Sequence, residues 1–216
     1  TGSALAFAGN TLYAGGSFTN IGGQVRNRLA ALSDSTGQAL AWDADVRGRS
    51  TLAVLALAVR SNALYVGGVG TTSVGGQSRT NLYAVALSDA QPTTWNPPTL
   101  RTTSAGSVNA LAVDGDTILI GGDFTSVAGQ YRTNLAAVSA AGTGTVEGWS
   151  PNPNGVVYAV AASGGVAYAG GTFTSIGTVL RNRIAAVDRT TGVSILTWNP
   201  DASGSSARVS TLTIGA

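Results

Sequence analysis

The chain has 216 residues, 44% of them apolar, and a net charge of +2 from twelve arginines and ten acids. It contains no Cys, Met or His, which excludes thiol chemistry, disulfides, His-ligated metals and every Ser-His or Cys-His catalytic arrangement. The arginines are scattered rather than clustered and no apolar run approaches the ~18 residues of a membrane helix, so neither a nucleic-acid partner nor a membrane span is expected.

The first predicted element is Ala4-Leu5-Ala6-Phe7, in which large and small apolar residues alternate as they do along a strand. Ala8-Gly9-Asn10 follows as a tight turn, because Gly and Asn tolerate the positive φ that hairpins need. A second strand then runs into Gly15-Gly16. After Arg26 comes a third, Leu29-Ala30-Ala31-Leu32, and the stretch leading to Trp42 reads as a fourth.

This set of signals returns three more times. The Gly-Gly pairs Gly15-Gly16, Gly67-Gly68, Gly121-Gly122 and Gly170-Gly171 recur at intervals of 52, 54 and 49 residues. Arg26, Arg79, Arg132 and Arg181 follow the first Gly of each pair by 11 or 12 residues. Trp42, Trp95, Trp149 and Trp198 follow those arginines by 16 or 17, and they are all the tryptophans of the chain. The turns Arg60-Ser61-Asn62, Asp114-Gly115-Asp116 and Ser163-Gly164-Gly165 occupy the slot of Ala8-Gly9-Asn10.

Repeats of about 50 residues built from four short strands, with no helical periodicity, predict an all-β β-propeller. The alternative is a parallel β-helix, whose much shorter coils would have to be paired within each repeat. The predicted blades are 1–53, 54–107, 108–156 and 157–208, in one domain spanning 1–216. Val209-Ser210-Thr211-Leu212-Thr213-Ile214 matches the first strand of a fifth copy, so 209–216 reads as a surplus inner strand. Thr1-Gly2-Ser3 drops directly into a repeat. The whole is expected to be an arc of a larger propeller or array, partnered by further blades of the same or another chain.

The segments Tyr13-Ala14-Gly15-Gly16-Ser17-Phe18-Thr19, Gly22-Gly23-Gln24 and Arg26-Asn27-Arg28-Leu29-Ala30-Ala31-Leu32 resemble the repeats of secreted bacterial delta-60-type propellers. They are also similar to fungal cortical polarity-marker propellers and, more distantly, to kelch blades. The resemblance covers essentially the whole chain, and it implies a β-propeller in an exported or surface-attached protein. The chain departs from that pattern in its Ala-Ala-Val or Ala-Ala-Leu after the arginine and in its Trp-Asn-Pro segments at Trp95 and Trp198.

The repeated tryptophans admit two readings: wedges between blades, each indole N–H taken by a carbonyl, or a ring of sugar-stacking platforms. For the repeated arginines the expected partners are backbone carbonyls or the Trp plane, since no acid recurs at a fixed offset. Asp43/Asp45 and Asp114/Asp116 have the spacing of calcium loops but lack further oxygen ligands, and Asp123 with Glu147 is the pair a glycosidase would need. No catalytic residue, metal site or cofactor is assigned.

Specificity is expected where a repeat departs from the others. Repeat two replaces Phe-Thr with Val69-Gly70-Thr71-Thr72, and its connection from Pro97 to Ser107 is the longest. The leading functional expectation is a non-catalytic scaffold or adhesion segment of an exported bacterial surface protein, with cell-surface proteins or glycans as partners. A lectin-like propeller and a fragment of a propeller enzyme are the alternatives.

Overall fold

The computed structural model describes residues 2–102, 104–204 and 206–215; Thr1, Thr103, Ser205 and Ala216, which fall within the predicted blades and the surplus strand, lie outside the described residues. Four units follow one another. Unit 1 comprises β1 (Gly2–Ala8), β2 (Thr11–Gly16), β3 (Asn20–Ile21), β4 (Gln24–Val25) and β5 (Leu29–Ser33). Unit 2 has β6 (Val46–Arg60), β7 (Ala63–Val74), β8 (Gln77–Ser78) and β9 (Leu82–Ala86). β10 (Thr99–Arg101), β11 (Ser104–Ala105), β12 (Ser107–Asp114), β13 (Thr117–Asp123), β14 (Ser126–Val127), β15 (Gln130–Tyr131) and β16 (Leu135–Ser139) belong to unit 3. Unit 4 contains β17 (Val157–Ser163), β18 (Val166–Gly171), β19 (Ser175–Ile176), β20 (Val179–Leu180) and β21 (Ile184–Asp188). Every described element is a strand.

Each unit is built on one antiparallel sheet, in the orders β1-β2-β5, β6-β7-β9, β12-β13-β16 and β17-β18-β21. The expected fourth strand shrinks to one bridge per unit: Leu32 with Ala39, Val85 with Pro92, Val138 with Val146 and Val187 with Ser194. Its physical cause is the repeated arginine. Arg26 Nη2 donates to the Leu40 carbonyl at 2.6 Å, Arg79 to Thr93 at 2.7 Å and Arg132 to Glu147 at 2.6 Å. Arg181 takes Ile195 and Leu196 at 3.2 and 3.1 Å. A guanidinium thus occupies carbonyls that a longer strand would have offered to its neighbour, and the chain peels away toward the tryptophan.

The stretch between Gly-Gly and Arg, unassigned from sequence, folds into a small second hairpin in every unit: β3–β4, the end of β7 with β8, β14–β15 and β19–β20. The departure of repeat two from the others is a strand extension. Val69 to Val74 extends β7, and it pairs with Val46 to Gly48 and Ala53 of a likewise lengthened β6.

The core lies between successive sheets. Leu29 and Tyr13 of unit 1 pack with Val54, Leu64, Val66 and Tyr83 of unit 2. Leu82 and Trp95 of unit 2 meet Val108, Ile118, Ile120 and Phe124 of unit 3, and Leu119, Leu135 and Trp149 of unit 3 meet Val157, Ala169 and Phe173 of unit 4. Burial pushes the Tyr83 phenol well above the ordinary tyrosine range.

The Gly-Gly pairs make this stacking possible. A Cβ on Gly15 would lie 2.4 Å from Val54 Cγ1, on Gly67 2.7 Å from Val108 Cγ1, and on Gly121 2.5 Å from Val157 Cγ1. Within the units, a Cβ on the second glycine would strike the first strand's own backbone: the Ala53 oxygen at 2.4 Å from Gly68, and the Ser107 and Val156 oxygens at 2.1 Å from Gly122 and Gly171. One glycine admits the next unit's valine; the other admits a bulge in its own hairpin.

Residues 209–214 depart from expectation. They form no strand. Val209 nevertheless takes the place of Val54, Val108 and Val157: its Cγ1 faces Gly170, where a Cβ would be 2.5 Å away, and its N–H donates to the Gly171 carbonyl at 3.1 Å. Residues of β1, β6, β12 and β17, with Ser210, Thr211 and Leu212, line one cavity. First strands and C-terminal segment therefore share a hub.

Candidate functional site

Indole N–H groups of three tryptophans reach across to the next unit. Trp42 Nε1 donates to the Ala86 carbonyl at 3.1 Å, Trp95 to Ser139 at 2.8 Å and Trp149 to Asp188 at 2.9 Å. Each acceptor is the last residue of the third strand of its sheet. Trp95 and Trp149 are buried and Trp42 is half-buried. Trp198 is half-buried too, and its indole makes no hydrogen bond among the described residues.

A tyrosine of the second strand stands edge-on to three of these rings: Tyr13 to Trp42, Tyr65 to Trp95 and Tyr168 to Trp198, with centroids 5.2, 4.8 and 5.4 Å apart. Unit 3 has Leu119 at that position, and Trp149 is instead covered by the Arg189 guanidinium at 5.1 Å. That arginine comes from the turn after β21 and not from the repeated set.

The repeated arginines bind backbone alone in their closest contacts. Besides the carbonyls already described, Nη1 of Arg26, Arg79, Arg132 and Arg181 donates at 2.8 Å to the carbonyl of its own preceding residue. Two acceptors on one planar fork fix the guanidinium's orientation.

The carboxylates singled out from sequence pair with arginines. Asp114 and Glu147 both receive Arg189, at 2.6 and 3.3 Å, and Glu147 also accepts the Thr117 hydroxyl. Arg60 pairs with Asp116 and donates to the Gly115 carbonyl at 2.8 Å. Arg101 lies 3.1 Å from Asp123, Arg47 2.8 Å from Asp45 and Arg26 3.8 Å from Asp43. The Arg60 and Arg189 contacts span units, so charge reinforces the same seams as the tryptophans. No group of three acidic, His or Cys side chains able to hold a metal occurs among the described residues.

Two cavities combine polar side chains with departures from the repeat. The first, about 280 Å³, sits where β6 and β7 are lengthened, and its wall includes Arg49, Thr51, Thr72, Arg79, Thr80 and Asn81. Asn81 is buried and bridges the site, accepting from Thr71 N at 3.0 Å and donating to the Gly106 carbonyl at 2.8 Å. The Thr80 hydroxyl is buried without a partner. Its counterparts do better: the Thr133 hydroxyl reaches Asn152 Oδ1 at 3.4 Å, and Asn182 Nδ2 reaches Asp201 Oδ1 at 2.5 Å. The long connection after Trp95, flagged from sequence, brings no such partner to Thr80. The second cavity lies at the hub, about 390 Å³, with Ser3, Leu55, Asn109, Tyr158, Arg208 and Ser210 around it. Nothing in the sequence assigned those six a role as a group, because the residue type at these positions changes from repeat to repeat.

Residues 10–32 and 116–137 match the model of a family described as a β-propeller domain of unknown function (DUF5122). Both matched stretches run from the first hairpin turn through the second strand toward the third, in units 1 and 3. No curated protein matches the sequence. Among solved structures, the crystal structure of the computationally designed Ika8 protein is similar, with a TM-score of 0.52 at 15% identity over 100% of this chain. This chain spans 65% of the length of that protein, and the likeness concerns the fold alone. The chain is an all-β repeat protein of β-propeller type.

Proposed function

We propose that the chain is a non-catalytic β-propeller scaffold, serving as an adhesion or interaction segment of an exported bacterial protein. One observation carries the reading: the side chains that repeat are spent on the backbone. Three of four indoles and all four guanidiniums of the repeated set donate to carbonyls that hold units together or end their sheets. What repeats is framework, and the chemistry left for partners lies in what varies. The buried Trp95 and Trp149 have no ring face to offer a sugar, which weighs against the lectin-like alternative.

The open side of unit 1 supports further blades beside it. Leu5 and Phe7 are 65% and 62% exposed, whereas their counterparts Leu57 and Val59 pack into the core between units 1 and 2. An arc of a larger propeller accounts for this apolar surface, with the adjoining blade coming from the same or another chain.

Export is tested on intact cells of the source organism with an antibody raised against the 216-residue chain. Labelling of unbroken cells is expected. Labelling that appears only after lysis contradicts the proposal.

A further inference from the structure

At one matching place in every first strand, a residue has no partner across its hairpin; the lengthened β6 also leaves Arg49 to Leu52 unpaired further up. The pairing steps over Ser3 between Gly2 and Ala4, Leu55 between Val54 and Ala56, Asn109 between Val108 and Ala110, and Tyr158 between Val157 and Ala159. A bulge re-aims the side chain of its extra residue, which is why bulges gather beside functional sites. Here all four line the same hub cavity, joined by Ser210 at the matching place after Val209.

The flanks of the bulge are nearly constant, with Val before it and Ala after it in units 2, 3 and 4, while the bulged residue changes from unit to unit. That is the pattern of a frame holding a variable reading ring. Arg208 is the one charged side chain on the wall among the described residues. Its guanidinium lies over the Tyr158 ring at 5.3 Å and makes no hydrogen bond or ion pair among the described residues. A planar, permanently charged fork with unused donors suits a carboxylate, which it can hold through two parallel bonds.

We propose that the hub cavity binds a small organic carboxylate. Arg208 takes the carboxylate, while the Tyr158 and Ser210 hydroxyls and the Asn109 amide select the rest of the molecule and Leu55 supplies an apolar wall. A cavity of about 390 Å³ falls in the range of small-molecule sites. No acid stands on the wall among the described residues, so the lining favours an anion over a cation.

Acetate, succinate and glutarate, with 1,4-butanediol and 1,4-diaminobutane as uncharged and cationic controls, are titrated into the intact chain at low salt by calorimetry. At least one carboxylate is expected to bind and both controls to fail. Arg208→Gln is expected to weaken that binding about tenfold or more, the scale of one charge-assisted hydrogen bond. Tyr158→Phe tests the hydroxyl and is expected to weaken it several-fold. Arg208 is exposed, so an unchanged melting curve for Arg208→Gln separates lost binding from lost fold. The proposal is overturned if no carboxylate binds below ~10 mM, if a control binds as tightly as the carboxylates, or if Arg208→Gln leaves binding intact.

Discussion

Trp95→Ala is expected to cost about 3–5 kcal/mol of unfolding free energy, the usual scale for removing a buried tryptophan. The ring is 2% exposed, stands edge-on to Tyr65 at 4.8 Å and donates to the Ser139 carbonyl at 2.8 Å. Truncation removes the apolar area, the ring pair and the one indole bond between units 2 and 3 together. The same change at Trp198, half-buried and without a hydrogen bond among the described residues, is expected to cost about 1 kcal/mol, the ordinary size of a point-mutant effect. Urea unfolding of the two variants checks the contrast. Equal losses would mean that the seam between units 2 and 3 is no tighter than the surface around Trp198.

Gly121→Ala is expected to be destabilising by about 1–3 kcal/mol, although it adds a single methyl group. The new Cβ would stand 2.5 Å from Val157 Cγ1 and 2.7 Å from Val160 Cγ2, both of them side chains of the next unit. Gly148 is the control, since a Cβ there meets nothing within 4 Å, and Gly148→Ala is expected to be neutral or mildly stabilising through the unfolded chain. The source of the strain is tested by adding Val157→Ala. If the clash with Val157 is its cause, the double variant is less destabilised than the two single losses summed, a coupling that contacting residues show and distant ones do not. Additive losses would place the strain elsewhere.

Sequence reading reached the framework because the framework is what repeats. Spacing alone located the glycines, arginines and tryptophans, and the chemistry of a five-donor fork pointed to carbonyls as partners for the arginines. It overcounted strands because the apolar and Thr residues before each tryptophan have strand composition. Whether they pair beyond one bridge depends on Arg26, Arg79, Arg132 and Arg181 reaching them across 14 or 15 residues. It also passed over the small hairpin before each arginine, whose strands of two residues are too short to show a period.

The hub cavity was invisible for a different reason. Ser3, Leu55, Asn109, Tyr158 and Ser210 look like noise in an alignment of repeats, and only the bulge reveals that they converge. A one-residue register shift cannot be read from alternation that is already broken by small residues. Loss of strand structure at 209–214 was equally out of reach, because pairing depends on a partner strand and not on the segment's own residues.

Exchange of the four indole protons with deuterated solvent, followed by nitrogen-resolved NMR, bears most directly on whether neighbouring sheets are locked face to face. Three resonances are expected to exchange slowly, those of Trp42, Trp95 and Trp149, and the fourth, from Trp198, to vanish first. Four protons lost together at the rate of an open indole would contradict the packing described for every seam in the molecule.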